Sequence, residues 1–408
     1  MSKKVLIMSA STGGGHNRAA RAIKEELIKK TIDGENIECK IIDSLKLVNT
    51  TMDKIISRGY EKSAIYTPYA YGKVYRFSES GIASKNEFKD NMITNFMAKK
   101  FRKLLLDEQP DLIIGTHPFP MIALSTLKKQ CANSNSHTLF HTSFNDNFIK
   151  HFNTKPFPTL ISVLTDYTTH STWIQNELDY YIVGHEYVKE LLISEGVDSS
   201  KIKPIGIPVE KSFLQNRDRE TVLDELGFDK DKLTVLLMGG SFGAGNIKET
   251  LTEMLSIDRD FQILVITGRN ESLKEKLEKN LESHHIDKNV KVLGFTNKMN
   301  DILASIDVLV TKPGGLTTTE ALLKDVPMIV PYYIPGQEEE NLDFLCNCGS
   351  ALRTTKKYSL SVLLKVLIDD SSRLEILKKN IKSIRKFNSS QNIANLVEFE
   401  LLKNKKNL

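Results

Sequence analysis

The sequence predicts an α/β protein built as two doubly wound halves with parallel sheets. Three observations carry the prediction. Short apolar runs alternate with charged, helix-periodic stretches through both halves, the order that strand, crossover helix and parallel strand impose. A glycine-rich turn follows the first apolar run of each half, STGGGHNRAA at 11–20 and GGSFGAGN at 239–246. Between the halves, IKPIGIPVEKSFLQ carries Pro204, Gly206 and Pro208, a composition suited to a hinge near 206–212. Two such halves joined by a hinge imply a cleft between them.

The elements follow in order. Residues 5–9 supply the first strand signal, a helix is expected over about 18–30, and a second strand over 37–42. The stretch 43–104 is irregular and holds Tyr60, Tyr66, Tyr69, Tyr71 and Tyr75, so it reads as an insertion that ends in a helix, FMAKKFRKLLLDEQP. DLIIGTHPFP, TLISVLTDYT and LDYYIVGHEYV supply three more strands, each closing on polar or glycine-containing residues where α/β proteins place their sites. These make a first domain over 1–208. A second domain, 209–385, offers five strand signals in KLTVLLMGG, FQILVITG, VKVLGFT, IDVLVTKPGG and PMIVPYYI. From about residue 350 onward the pattern is helical, and 386–408 holds a last helix, NIANLVEFELLKN, with a basic KNKKN tail.

The chain's 408 residues allow two large domains, and 56 Lys+Arg against 51 Asp+Glu, with 40% hydrophobic residues, describe a globular rather than a disordered protein. Cys39, Cys131, Cys346 and Cys348 are too scattered for a disulfide framework, and the spacing of the last two is not a zinc spacing. MSKKVLIMSA imitates a signal peptide but runs straight into glycines and a charged helix, which makes it a first buried strand and points to the cytoplasm. No apolar run reaches the length of a membrane span. Basic residues form no long stripe interleaved with aromatics, which argues against nucleic acid.

Glycine lets backbone approach a ligand closely, and a following helix presents unpaired N–H groups, so each glycine turn can hold an anion. Neither turn is a G-x-G-x-x-G fingerprint opening a dinucleotide fold, and no G-x-x-x-x-G-K-[ST] string occurs. His16 follows three glycines at a helix start. It is either a solvent-facing cap or a neutral imidazole that removes a proton from a hydroxyl, kept uncharged by the helix N-terminus. Asp166 closes the run ISVLTD and either caps the next helix or assists His16 and an acceptor hydroxyl. His117, His141 and His170 occupy comparable strand ends.

The richest segment is TKPGGLTTTEALLKDVPMIVPYYIPGQEEENLDFL, 311–345. Pro313, Gly314 and Gly315 turn the chain into a helix starting near Leu316, whose N-terminus suits a diphosphate. Thr317 and Thr318 add hydroxyls, and Glu320 can accept from a ribose diol. The competing reading makes Thr317 the cap and Glu320 the close of a capping box. Gln337 and Glu338, after the turn at Pro335 and Gly336, can read sugar hydroxyls, with Asn341 one helical turn on; a solvated acidic helix start is the plain alternative.

STGGGH near the start, VLTDYTTHSTWI at 163–174, GGSFGAG at 239–245, KPGGLTTTEA at 312–321 and PGQEEEN at 335–341 form an ordered series. On these motifs nearly the whole chain resembles the monogalactosyl- and processive glucosyl-diacylglycerol synthases, relatives of the bacterial undecaprenyl-pyrophosphoryl-muramoyl-pentapeptide N-acetylglucosaminyltransferase. The resemblance implies a GT-B fold, two Rossmann-like domains facing across an inter-domain cleft. Diacylglycerol would be held mainly by the N-terminal domain and a UDP-sugar by the C-terminal one. His16 would be the catalytic base and Asp166 the acid of the acceptor side. The turn of Gly240, Ser241, Gly243, Ala244 and Gly245 would wall the donor site, backbone at Phe295 would read uracil, Glu320 would bind ribose, and Gln337 with Glu338 would read the sugar. At 170–174 the chain has HSTWI where the family has His-Pro-x-Trp-Phe.

The implied reaction is inverting transfer of glucose from UDP-glucose to 1,2-diacylglycerol, giving β-glucosyldiacylglycerol and, on reuse, β-diglucosyldiacylglycerol. N–H groups around 314–318 and 243–245 would meet the growing diphosphate charge, so no essential divalent metal or other cofactor is expected. The Asp-x-Asp strings at 229–231 and 258–260 read as surface acids. A lipid acceptor requires an anionic membrane surface. The stretch 91–106 mixes Met92, Ile93, Phe96, Met97, Phe101 and Leu104 with Lys99, Lys100, Arg102 and Lys103. It is either an interfacial helix or a core-packed helix with a basic face. The expectation is therefore a peripheral enzyme on the cytoplasmic side of the cell membrane. Its rivals are galactosyl or N-acetylglucosaminyl transfer to another lipid, UDP-GlcNAc 2-epimerase chemistry, and a non-catalytic sugar-nucleotide-responsive membrane scaffold.

Overall fold

The computed structural model describes residues 2–11, 14–48, 92–132, 143–239, 246–283 and 286–406. The tyrosine-rich segment, His141, and Gly240, Ser241, Gly243, Ala244 and Gly245 lie outside the described residues. Contacts divide the chain into two units, one running to Glu210 and resuming at Asn388–Leu408, the other spanning Lys211–Phe387.

The first unit contains β1 (Lys4–Ser9), α1 (Gly15–Leu27), β2 (Thr31–Ile32), β3 (Glu35–Asn36), β4 (Glu38–Asp43), α2 (Ser44–Val48), α3 (Met92–Glu108), β5 (Leu112–Gly115) and α4 (Pro118–Ala132). It continues through α5 (Ser143–Thr154), β6 (Thr159–Val163), β7 (Tyr180–Ile182), α6 (Glu186–Ser194) and β8 (Ile202–Lys203). Six strands form one parallel sheet in the order β4-β1-β5-β6-β7-β8. The central strand shows why: Val5, Leu6, Ile7 and Met8 are all buried, Val5 and Ile7 in one apolar cluster, Leu6 and Met8 in another. An uninterrupted apolar run with a side-chain period of two needs cover on both faces, which helices provide.

The second unit repeats the plan with α7 (Arg219–Glu225), β9 (Thr234–Met238), α8 (Ile247–Leu255), β10 (Gln262–Ile266), α9 (Glu271–Ser283), β11 (Val290–Leu293), α10 (Met299–Ser305) and β12 (Val308–Val310). It ends with α11 (Gly315–Leu323), β13 (Met328–Val330), α12 (Gln337–Asn347), β14 (Ala351–Arg353), α13 (Leu360–Asp369) and α14 (Ser371–Ile384). Its parallel sheet runs β11-β10-β9-β12-β13-β14. In each sheet the chain order reverses beside the first strand, between β1 and β5 and between β9 and β12. Ligands of open α/β sheets bind beyond the carboxyl ends of such a pair. There lie His16, in the first turn of α1, and His117 in the first unit, and 311–314 in the second.

Several expectations are adjusted. α1 starts at Gly15, three residues before the predicted start, which puts His16 inside its first turn. The short edge strands β8 and β14 were not expected; two or three residues carry no readable periodicity. From Ala98 onward α3 is the core-packed helix: Ala98, Phe101 and Leu105 are buried and Leu104 packs against the same cluster. Its Arg102 donates to Gln130 at 2.9 Å, and Lys103 pairs with Asp107 at 2.9 Å. The side chains of Met92, Ile93, Phe96 and Met97 lie outside the described set.

The last helix, α15 (Ser389–Lys406), belongs to the first unit. Ile393, Ala394, Val397 and Leu401 are fully buried in the cluster built on β1 and α1. Tyr180 Oη donates to Glu400 at 2.7 Å, Lys30 pairs with Glu398 at 2.7 Å, and the Ser390 hydroxyl donates to the Val209 carbonyl at 2.9 Å. Among the described residues no helix is long and apolar enough to cross a membrane.

Candidate active site

His16 is the second residue of α1, which begins after Gly14 without a side-chain cap. It is half-buried, so the solvent-facing reading does not hold. Its Nδ1 lies 2.7 Å from the carbonyl oxygen of Thr116, just beyond β5, and 3.0 Å from the Thr165 hydroxyl beyond β6. A carbonyl can only accept, so Nδ1 carries the proton and Nε2 keeps its lone pair. The Thr116 hydroxyl donates back to the His16 carbonyl at 3.1 Å, which fixes the ring between two strand ends.

The other strand-end histidines are wired the opposite way. Nδ1 of His117, His170 and His185 accepts from the backbone N–H of Phe119, Thr172 and Tyr187 at 3.2, 3.1 and 3.2 Å. Each must leave Nδ1 unprotonated and, when neutral, carry its proton on Nε2. These three are caps; among the described strand-end histidines only His16 presents a basic Nε2. His117 still matters, because its ring stands edge-on to His16 with centroids 4.7 Å apart.

Burial lowers the pKa of His16 below its usual value, while the charge of Asp166 and the bond to Thr116 pull it back up. Burial, reinforced by the field of His16, holds His117 well below the ordinary histidine range. Both rings are therefore neutral near pH 7. Asp166 is not the cap of the next helical turn, Ser171–Trp173, which His170 caps instead. Its negative charge acts on His16, favouring the protonated ring.

In the second unit Gly314 is the N-cap of α11, with φ −68° and ψ 140° and no side-chain cap. The competing capping box is thus absent: Thr317 lies inside the helix and Glu320 a turn further on. The first N–H groups of a helix have no intrahelical partner, so Gly315, Leu316 and Thr317 present donors at the sheet's reversal point. Thr317 is half-buried, and the Thr318 hydroxyl is enclosed with no hydrogen-bond partner among the described residues. Glu320 is 4% exposed, an unusually buried carboxylate.

α12 begins after Gly336, whose φ of 109° is a conformation reserved for glycine. Its first turns brace the loop before α11. Glu338 pairs with Lys312 and accepts from the Ile334 N–H at 2.9 Å, and Asn341 donates to the Pro313 carbonyl at 3.0 Å. Asn341 is fully buried, so it holds Pro313 in place rather than presenting an amide to a sugar. Gln337 is the first residue of α12, beside Glu338. Phe295 is 64% exposed after β11, with the Arg269 guanidinium 5.4 Å from its ring centre. Sequence reasoning missed Thr116, Thr165 and Lys312; each stands one or two residues past a strand, which was the available signal. Of the Asp-x-Asp residues, Asp260 pairs with Lys232 at 2.9 Å and Asp229 accepts from the Asp231 N–H at 2.9 Å.

The family profile of monogalactosyldiacylglycerol (MGDG) synthase matches residues 16–145 and 135–209, and that of the glycosyltransferase family 28 C-terminal domain matches 234–394. A processive diacylglycerol beta-glucosyltransferase of Bacillus cytotoxicus is 30% identical over 97% of this chain and 93% of its own. Among solved structures, Acinetobacter baumannii MurG superposes with a TM-score of 0.59 at 14% identity, covering 97% of this chain and 99% of its own. Anabaena HepE in complex with UDP-glucose gives 0.52 at 12% identity, covering 97% and 99%. Two six-stranded parallel sheets with this strand order make the fold GT-B, and the matched C-terminal profile makes the chain a glycosyltransferase. Within that class the chain belongs to the family of the monogalactosyldiacylglycerol synthases and processive diacylglycerol β-glucosyltransferases, and is a glycolipid glycosyltransferase.

Proposed function

We propose that the chain transfers glucose from UDP-glucose, with inversion, to the free hydroxyl of 1,2-diacylglycerol, and that the β-glucosyl product can accept a second glucose. The observation carrying this reading is the His16 tautomer, which leaves Nε2 free to accept a proton. In the reaction the acceptor oxygen forms the bond to the anomeric carbon while the bond from that carbon to the β-phosphate oxygen breaks. UDP leaves with the electron pair, and the acceptor proton goes to Nε2 of His16. Asp166 favours the imidazolium that results.

The second unit takes the donor. N–H groups of Gly315, Leu316 and Thr317 meet the charge that grows on the diphosphate, without a divalent metal or other cofactor. Glu320 takes the ribose, Gln337 and Glu338 the hexose, backbone at Phe295 the uracil, and the turn Gly240–Gly245 the remaining wall. The acceptor is met at an anionic bilayer surface on the cytoplasmic side. The relative from Bacillus cytotoxicus, named for this reaction and matched nearly end to end, supports the acceptor and the sugar.

The full chain is to be incubated with diacylglycerol in phosphatidylglycerol or phosphatidylcholine vesicles and UDP-glucose, UDP-galactose or UDP-N-acetylglucosamine, with and without chelator. Mass and linkage analysis should find β-linked glucose, more of it on the anionic vesicles. A galactosyl, N-acetylglucosaminyl or α-linked product overturns the reading. Undiminished transfer by His16→Ala removes that residue from the base role.

A further inference from the structure

Lys312 has no role in the reading above, yet it pairs with Glu338 directly beside the donor turn. It stands two residues beyond β12, immediately before Pro313, Gly314 and the start of α11. Its side chain is mostly buried, 18% exposed, and its ammonium is joined to Glu338, whose side chain is 14% exposed. The second oxygen of Glu338 accepts from the Ile334 N–H at 2.9 Å. The carboxylate is thus clamped from both sides at the first turn of α12, close enough to Gly314 that a side chain there would meet it at 4.0 Å.

A carboxylate offers about four lone-pair sites, and these two bonds leave others available. An unclamped Glu side chain would have to be ordered each time a ligand arrived, at a cost in side-chain entropy. An ammonium already engaged with a doubly held carboxylate is, in turn, poorly placed to act as a free phosphate cation. We propose that Lys312 is a positioning residue that fixes Glu338 beside the N-terminus of α11, so that the hexose of the donor meets a pre-set acceptor of its hydroxyls. The proposal rests on the donor reading above and concerns recognition of the sugar, not of the nucleotide.

The test compares the affinities of UDP and UDP-glucose, measured by calorimetry on the full chain. Lys312→Met should bind UDP within about twofold of the wild type but UDP-glucose about tenfold more weakly, the loss expected for one hydrogen bond to a charged group. Lys312→Arg should restore much of the difference. Glu338→Gln should reproduce the split, and the double variant should lose no more than either single one, because the two act as a unit. Where Lys312→Met fails to fold because it strands the Glu338 charge, the uncharged double variant carries the same comparison. Equal loss of UDP and UDP-glucose overturns the proposal in favour of a direct phosphate contact, and unchanged affinity for both overturns it outright. A wild-type chain that binds neither ligand overturns the donor reading and the proposal with it.

Discussion

The acid limb of the pH–rate profile tests the arrangement at His16 most directly. The base must be neutral in the free enzyme, and burial sets its pKa below the usual 6.5 despite the opposing charge of Asp166. At pH 7 a base with a pKa of 6.5 is already about three quarters neutral, and a lower pKa leaves more of it active. Were Asp166 dominant and the pKa raised to about 8, only about a tenth would be neutral at pH 7. The slope carries a second forecast. His117 lies well below the ordinary range, partly because of His16, so one proton and not two should switch the enzyme off at first. The expected profile of kcat/KM, measured by UDP release with diacylglycerol in mixed micelles, is flat at pH 7 and above. Below the pKa it should fall about tenfold per pH unit. A limb centred above pH 7, or an initial fall of about a hundredfold per unit, would refute the neutral Nδ1–H histidine.

Other consequences follow from the same contacts. Asp166→Asn removes the charge that raises the His16 pKa, so the acid limb should move to lower pH while kcat falls by about tenfold or more; a limb displaced upward contradicts the electrostatic assignment. Because His16 and His117 both have lowered folded-state values, the unfolded chain binds more protons as the pH falls below about 6.5. Stability is therefore full above that pH and is lost toward the lower folded values, by at most about 1.4 kcal/mol per unit for each ring, as urea midpoints at several pH values would show. Leu401→Ala should cost about 2–5 kcal/mol in urea unfolding, the range for emptying a buried leucine site, and a value under about 1 kcal/mol would deny α15 its place in the core. Gly336→Ala should cost about 1–3 kcal/mol through its φ of 109°, read in the same assay.

The sheets were legible because their central strands are unbroken apolar runs, as in KVLIMS and TVLLM, flanked by glycine turns. The edges were not, since Ile202–Lys203 and Ala351–Arg353 are too short to show a period. Sequence located His16 but not its tautomer, which depends on a Thr116 carbonyl a hundred residues away. The string TTTEA allowed a capping box because Thr and Glu stand at the correct spacing; the helix in fact starts two residues before Thr317, on glycine. Asn341 looked like a sugar reader in sequence because nothing local reveals that its amide faces the Pro313 carbonyl.

The closing helix gives the chain a particular order of assembly. Its apolar stripe completes the layer beneath β1, although the ribosome delivers it only after the whole second unit. The opening half must therefore wait, with part of that layer uncovered, until all of Lys211–Phe387 has been made. A stop codon shortly before residue 389 would remove no donor-turn residue, yet it should leave the N-terminal half, not the C-terminal one, prone to aggregate.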